Sequence, residues 1–228
     1  MPRRARLLIP GVPLHVIQRG NNRGACFFSD DDYVFYLKQL FEQARQHGCA
    51  IHSYCLMNHV HLLLTPSTEH SVSRMMKGLG QRYVQYVNRA YRRTGTLWEG
   101  RFRSCLLQEE NYVLACYRYI ELNPVRARIV EHPAEYQWSS YRINAQSEPS
   151  VLVNPHSIYT ALATEGVSSA KNYRELFALK LDPKLVEQIR CSTNGNYALG
   201  STRFSQEVEE ALGRRASRGN PGRPKIDK

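Results

Sequence analysis

Two apolar segments of this chain lie so close together that they can pair in one way only. Residues 51–56 and 60–65 each have the length and apolar content of a buried strand, and three residues separate them. A parallel pair needs a connection of about a dozen residues or more, so these strands must form an antiparallel hairpin. Pro66 closes the second strand, because proline has no backbone N–H to donate.

Strands and helices alternate around this hairpin. An apolar period of about two indicates a strand, and one of about 3.6 indicates a helix. The pattern predicts a strand over 14–19, a helix from Ser29 or Asp30 to Gly48, the hairpin, a helix over 71–92, a strand over 103–107 and an additional helix over 111–122. The order β-α-β-β-α-β predicts an α+β, ferredoxin-like fold, in which both helices cover one face of an antiparallel sheet. The other face should be partly open for a ligand.

The composition changes after these elements. A polar, proline-containing linker over 145–150 separates a first domain, residues 1–144, from a helical extension over 145–213. Residues 214–228 form a basic tail that we expect to be disordered. In this tail, residues 222–225 (Gly-Arg-Pro-Lys) are similar to Gly-Arg-Pro hooks that bind the minor groove of DNA, although a plain solvated tail is an equal alternative.

The charge of the chain is uneven. Lysine and arginine number 31 against 20 acidic residues, a formal net charge of +11. Residues 74–103 hold eight basic side chains and one acid, and residues 213–228 hold six and one. Clustered arginine favours an acidic polymer such as a nucleic acid over a merely solvated basic face.

Other features of the composition concern the compartment. The sequence has no long apolar run and no apolar core near the N-terminus, which predicts a cytoplasmic protein, associated with the nucleoid and not with a membrane. Its six cysteines form no Cys-x-x-Cys pair, so we expect reduced, buried thiols.

His59 and His61 stand on the second strand of the hairpin. Because they are two residues apart, their imidazoles share one face of the sheet. Burying two imidazoles is costly unless something binds them, and a metal ion would do so. The alternative is that one is a hydrogen-bonded core histidine and the other is partly exposed.

Tyr119 and Asn123 lie four residues apart, so they share a face if the helix continues. The apolar stripe of that helix leaves Tyr119 on its flank, where its hydroxyl is free to reach a neighbouring site. Tyr119 is therefore either a nucleophile or a packed aromatic. Asn123 precedes Pro124 and is also a candidate cap for the next short helix.

Five separated motifs follow one another along the first part of the chain. They are His15-Val16-x-x-Arg19-Gly20-Asn21-x-Arg23, Leu56-Met57-Asn58-His59-Val60-His61-Leu62-Leu63, Gly95-x-Leu97-Trp98-Glu99-Gly100-Arg101-Phe102-Arg103-Ser104, Tyr119-Ile120-x-x-Asn123-Pro124-Val125-Arg126-Ala127 and Trp138-Ser139-Ser140-Tyr141. In this order they resemble the single-domain tyrosine transposases. The closest resemblance is to the REP-associated tyrosine transposases, within the wider class of His-hydrophobe-His (HUH) single-strand endonucleases.

The resemblance implies roles for individual residues. His59 and His61 match the metal-binding pair, Tyr119 the catalytic tyrosine and Asn123 a third metal ligand. The implied cofactor is Mg²⁺ or Mn²⁺, and the implied partner is single-stranded DNA with hairpin elements, bound by a monomer or a homodimer. Tyr119 would cleave and rejoin this DNA through a 5′-phosphotyrosine intermediate.

Arginines near these motifs are candidates for DNA contacts. Arg19, Asn21 and Arg23 could read unpaired bases near the foot of a hairpin. Phosphate contacts are predicted for Arg101, Arg103 and Arg126, with surface salt bridges as the alternative.

Two other classes of function stay open. The connector of the hairpin has one residue fewer than family members usually have, and a slip of one residue would turn His59 and His61 to the opposite face. That feature favours a DNA-binding regulator without cleavage activity. The second class is a metal-dependent hydrolase that uses the histidine pair with water, in which Tyr119 is structural.

Overall fold

A computed structural model describes residues 5–218 of the chain. The strands are β1 (Leu14–Arg19), β2 (Cys49–Leu56), β3 (His59–Pro66), β4 (Arg103–Leu107) and β5 (Ala198–Leu199). The α-helices are α1 (Asp30–His47), α2 (Ser71–Ala90), α3 (Glu109–Glu121), α4 (Asn123–Arg126), α5 (Tyr141–Gln146), α6 (Ser157–Thr160), α7 (Ser169–Glu175), α8 (Pro183–Gly195) and α9 (Thr202–Leu212). Short 3₁₀ helices lie at Asn21–Arg23, Pro133–Glu135 and Leu176–Ala178.

The strands form one sheet in the order β2-β3-β1-β4-β5. β1 lies at its centre and pairs antiparallel with β3 and with β4. β2 and β3 form the expected antiparallel hairpin. The first four strands have the connectivity of a ferredoxin-like sheet, so the predicted fold class is confirmed. β5 is an addition that the sequence did not reveal, and it pairs parallel with β4.

Local sequence accounts for the ends of α1. Ser29 and Asp32 form a capping box, in which each side chain accepts from the backbone of the other's position. Three aspartates in the first turn also face the positive end of the helix dipole. Gly48 ends the helix in the left-handed conformation, with φ of 63°, which costs glycine little.

Two apolar clusters lie on opposite faces of the sheet. α1 and α2 cover one face, where residues such as Leu62, Met75 and Leu79 are fully buried. The other face carries α3 and several helices of the extension, and its buried residues include Leu63 and Ile189. The second face is therefore more covered than the sequence predicted, and a pocket described below opens on it.

Residues 145–213 take part in both the sheet and its second face. β5 extends the sheet beside β4, and α8 packs against β4 and β1. Because the first domain and the extension share this packing, the extension shapes the surface on which the candidate residues lie. The domain boundary at residue 145 stays a prediction.

The structure also bears on other features read from the sequence. All six cysteines are free, and five of them are buried, whereas Cys191 is partly exposed. Within residues 5–218, no helix combines the length and the apolar character needed to cross a bilayer. The Gly-Arg-Pro segment at 222–225 lies outside the described residues.

Candidate active site

One large pocket collects most of the residues that the sequence singled out. It has a volume of about 1020 Å³ and is lined from β1, β3, α3, α4 and α8. Seven of the ten predicted site residues line it: Arg19, Arg23, His59, His61, Tyr119, Asn123 and Arg126. Asn21, Arg101 and Arg103 lie outside it. Side chains that are distant in the sequence therefore line one pocket.

The histidine pair faces this pocket from β3. The ring centroids of His59 and His61 lie 4.7 Å apart, and β3 pairs regularly with β1. The tight turn is closed by Met57 N–H, which donates to the His59 carbonyl at 3.0 Å. The pairing irregularity lies in β2, between Ile51 and Ser53, several residues from the turn. The short connector has therefore not turned the pair away from Tyr119.

Burial keeps both imidazoles neutral. Desolvation lowers the pKa of His59 to about 4 and that of His61 well below 6.5, and the nearby arginines add to both shifts. Neutral imidazole is the form that binds metal ions. His61 is buried and hydrogen-bonded while His59 is partly exposed, so the arrangement also has the features of the core alternative. Its position on the pocket wall distinguishes it from an ordinary core pair.

Tyr119 reaches the pocket from α3. Its side chain is 5% exposed, and its ring meets the His15 and His61 rings edge-on at 5.6 and 5.8 Å. Burial raises the pKa of Tyr119, whereas Arg126 and a hydrogen bond with Arg190 act to lower it. The Arg126 guanidinium lies 4.2 Å from the centroid of the Tyr119 ring. Two cationic groups therefore surround a tyrosine that is otherwise packed like a core residue.

Asn123 and Arg126 form the floor of the pocket beside Tyr119. Asn123 is the first residue of α4, and Leu122 occupies the N-cap position, so Asn123 does not cap this helix. Its Oδ1 instead accepts from Arg126 Nη2, which also donates to the Tyr119 carbonyl. Among the described residues, the buried atoms Asn123 Nδ2, Arg126 Nε and Arg126 Nη1 have no partner. Unpaired buried donors are costly, and those of Arg126 place positive charge at the floor of the pocket.

Several residues of the pocket were not predicted as site residues, and four of them bear on its chemistry. His15 on β1 lies behind His61, with His15 Nε2 2.7 Å from His61 Nδ1. Arg190, Thr193 and Asn194 enter from α8. His15 belongs to the first of the five sequence motifs and shares a face with Arg19, a signal that could have identified it. The α8 residues carry no comparable signal, because their role depends on where α8 docks.

The remaining predicted arginines lie near the pocket. Arg19 Nη2 donates to Asn194 Oδ1 at 3.1 Å, and Arg103 Nη1 approaches the same oxygen at 3.4 Å. Arg101 and Arg103 line a neighbouring groove together with Arg6. Asn21 is exposed on the adjoining 3₁₀ helix. In the part of the chain that the structure describes, the ion pairs are Glu69–His70 and Arg203–Glu207, so the salt-bridge alternative is not found for these arginines.

The buried histidines make the fold sensitive to acid. Burial lowers the pKa of His15 to about 3 and those of His52 and His59 to about 4, so the folded state binds fewer protons than the unfolded state below pH 6.5. The contribution of these neutral imidazoles to the unfolding free energy is therefore complete above pH 6.5. It falls as the pH drops towards 4, by about 1.4 kcal/mol per pH unit for each imidazole. We expect the free energy of unfolding, measured with urea, to be several kcal/mol lower at pH 5 than at pH 7.

Two variants test this origin of the acid sensitivity. His52 is buried between the Asn154 carbonyl and Thr65 Oγ1. Its replacement by glutamine should reduce the pH dependence of the unfolding free energy by the contribution of about one imidazole. His70→Gln is the control for the loss of an exposed histidine. Equal pH dependences in parent and His52→Gln protein would contradict the explanation.

Comparison with known proteins gives this arrangement a context. A family model described as IS200-like transposase matches residues 10–123, half of the chain. The structure of a REP-associated tyrosine transposase bound to a REP hairpin is similar at a TM-score of 0.56 and 16% identity, covering 68% of this chain and 93% of that chain. A transposase candidate from Deinococcus radiodurans R1 has a TM-score of 0.37 at 18% identity, over 59% and 98% of the two chains, which is too low to support an argument. No curated protein matches the chain.

The family match and the fold define a DNA-cleaving enzyme, a transposase. The chain belongs to the IS200-like transposase family. The resemblance to REP-associated tyrosine transposases is confirmed by the family match and by the similar fold. The assignments of single residues to catalysis, metal binding and DNA contacts stay predictions.

Proposed function

We propose that this transposase cleaves and rejoins single-stranded DNA next to hairpins through a covalent tyrosine intermediate. The observation that carries the proposal is the meeting of Tyr119, His59, His61 and Asn123 in one pocket whose floor holds unpaired donors of Arg126. A phosphate group bound in the pocket would lie near both the Arg126 guanidinium and the Tyr119 ring. We further propose that the enzyme works on DNA in the cytoplasm, as a monomer or homodimer.

The substrate class follows from the charge around the pocket and from the similar structure. Arg19 and Arg23 line the pocket with Asn21 nearby, where unpaired bases could be held. Arg101 and Arg103 line the adjoining groove, which suits a DNA backbone. The similar REP-associated transposase was solved with a REP hairpin, and this supports a hairpin-containing strand as the substrate here.

The reaction uses groups of this chain at each stage. Tyr119 Oη attacks the phosphorus and gives its proton to water, and the bond from phosphorus to the 3′-oxygen breaks. The departing 3′-oxygen takes up a proton from water, which leaves a 5′-phosphotyrosine and a free 3′-hydroxyl. Arg126 and Arg190 stabilise the developing negative charge on Tyr119 Oη, since both act to lower its pKa. Attack by another 3′-hydroxyl on the phosphotyrosine reverses the step and joins two strands without ATP.

The donor set on the pocket wall fits a divalent cation. His59 and His61 would supply neutral imidazole nitrogens, and Asn123 Oδ1 keeps one lone pair beyond the one that Arg126 uses. Mg²⁺ or Mn²⁺ held there would polarise a phosphoryl oxygen and help to align the phosphate. Within residues 5–218 no group of three or more His, Cys, Asp or Glu side chains is arranged to hold a metal, so oxygens of DNA and water would complete the coordination.

A denaturing gel tests the proposal. The protein is incubated with Mn²⁺ and a single-stranded hairpin DNA labelled on the 5′-phosphate side of the expected break, and the mixture is boiled in detergent. A labelled protein–DNA adduct is the expected result. Cleavage without an adduct would instead support the metal-dependent hydrolase, and binding without cleavage would support the regulator.

The groove beside the pocket allows a separate test of DNA binding. Replacing the exposed Arg101 with alanine should weaken binding of single-stranded DNA and reduce the slope of log K against log salt by about 0.7, the loss of one phosphate contact. Fluorescence anisotropy across a salt series measures both quantities. Arg45→Ala is a matched control, because Arg45 is an exposed arginine on α1, which packs on the opposite face. An unchanged slope for Arg101→Ala would show that Arg101 does not contact a DNA phosphate.

A further inference from the structure

A chain of hydrogen bonds runs from α8 to the back of His61. Thr193 Oγ1 lies 2.9 Å from His15 Nδ1, and His15 Nε2 lies 2.7 Å from His61 Nδ1. The two imidazole rings are nearly parallel, with centroids 5.0 Å apart and planes inclined by 7°. All three side chains are buried, with 2% or less of each exposed. These hydrogen bonds therefore link the helical extension to a candidate metal ligand.

Counting donors decides the direction of every proton in this chain. Thr193 Oγ1 lies 2.7 Å from the Ile189 carbonyl, which can only accept, so the single hydroxyl proton of Thr193 goes there. The Thr193 oxygen must then accept from His15 Nδ1–H, and Cys105 Sγ at 3.1 Å can donate to its second lone pair. His15 Nε2 is left without a proton and accepts from His61 Nδ1–H.

We propose that Thr193 and His15 are positioning residues that fix His61 in the tautomer with its proton on Nδ1, so that its Nε2 lone pair faces the pocket. The inference rests on the proposed function in one respect, that this lone pair binds the divalent cation. If each hydrogen bond ran in the opposite direction, the proton of His61 would lie on Nε2 and block that nitrogen. Partners behind a ligating histidine commonly set its tautomer and orientation in this way.

The proposal gives the extension a role in the chemistry. α8 lies more than a hundred residues after the His59–His61 pair in the sequence, yet its last turn supplies the acceptor on which the tautomer depends. A hydroxyl is needed at position 193, because a methyl group of the same size cannot accept from His15. Serine retains the hydroxyl, and valine retains the shape without it.

The tautomers can be read directly in the metal-free protein. In protein labelled with ¹⁵N-histidine, two-bond ¹H–¹⁵N spectra distinguish protonated from unprotonated ring nitrogens. The expected result is Nδ1–H and unprotonated Nε2 for both His15 and His61. A proton on His61 Nε2 in the parent protein would overturn the proposal, whatever the enzyme's activity.

Variants at position 193 test the consequence for the cation. We expect Thr193→Val to shift His61 towards the Nε2–H tautomer and to weaken Mn²⁺ binding, measured by titration calorimetry, by about 10–100-fold. Thr193→Ser should restore both the spectrum and the affinity. His52→Gln is the control for loss of a buried histidine remote from the pocket, and it should bind Mn²⁺ as the parent does.

The outcomes separate this inference from the function on which it rests. Thr193→Val protein with the parent's tautomer or the parent's Mn²⁺ affinity would overturn it. If Thr193→Val does not fold, as judged by its circular dichroism, the spectra of the parent and of Thr193→Ser decide the assignment. Parent protein with the expected tautomers but no Mn²⁺ binding would refute the metal site and leave the hydrogen-bond chain supported.

Discussion

Tyr119→Phe protein is expected to form no covalent adduct with hairpin DNA, whereas the parent protein forms one readily. The substitution removes the single atom, Oη, that can form the phosphotyrosine bond, so the loss should be complete within the sensitivity of the gel. The phenyl ring keeps its edge-on contacts with His15 and His61 and its position below the Arg126 guanidinium. Only the hydrogen bond with Arg190 is lost, which costs about 1 kcal/mol.

Tyr117 on the same helix offers a matched control. It is fully buried, and its hydroxyl accepts from His156 N–H at 3.2 Å on the side away from the pocket. Tyr117→Phe should therefore form the adduct. DNA binding, measured by anisotropy, should be close to the parent's for both variants. An adduct formed by Tyr119→Phe would mean that another nucleophile acts, and the phosphotyrosine mechanism would be wrong.

Much of this fold was predictable because it depends on local sequence patterns, namely apolar periodicity, turn residues and helix caps. β1 and β4 have the predicted bounds, since each is a short apolar run between turn residues. α1 begins and ends where its capping residues predict. β5 was not predictable, because two residues carry no periodicity and their pairing with β4 depends on tertiary packing.

The candidate site was predictable to the extent that its residues lie in compact motifs. His59, His61 and Tyr119 stand at strand and helix spacings that place them on definable faces. Arg190 and Thr193 could not be found in this way, because an amphipathic helix can dock in many places and α8 has no motif that names its partner. The sheet was also predicted to have a larger open face than it has, because the sequence did not show that helices of the extension pack on it.

The largest stability effect is expected at Glu121, which is buried between Tyr119 and Asn123 in sequence. Its carboxylate accepts from Ser140 Oγ at 2.6 Å, Asn144 Nδ2 at 2.7 Å and Tyr173 Oη at 2.8 Å. These partners belong to the end of the first domain, α5 and α7, so Glu121 joins α3 to the extension. Burial raises its pKa, and the surrounding donors oppose that shift.

We expect Glu121→Ala to lower the free energy of unfolding by about 3–4 kcal/mol. Tyr173 and Ser53 lose their carboxylate acceptor, whereas Asn144 keeps the His52 carbonyl and Ser140 keeps the Tyr54 carbonyl as second acceptors. The expected loss combines about 1–3 kcal/mol for the stranded hydroxyls with the loss of packing around the removed side chain. Urea unfolding followed by circular dichroism measures the change.

Glu121→Gln separates the hydrogen bonds from the charge. The amide oxygen can still accept from Ser140 and Asn144, and the Tyr173 hydroxyl can accept from the amide nitrogen, so the loss should be much smaller than for alanine. Because the folded pKa of Glu121 is raised, its ionisation destabilises the fold, and the parent loses stability relative to Glu121→Gln as the pH rises through that pKa. Equal losses for the two variants at pH 7 would show that Glu121 stabilises the fold by its negative charge and not by accepting these hydrogen bonds. In that case Glu121→Leu, which also lacks the charge, should lose as much stability as the alanine and glutamine variants.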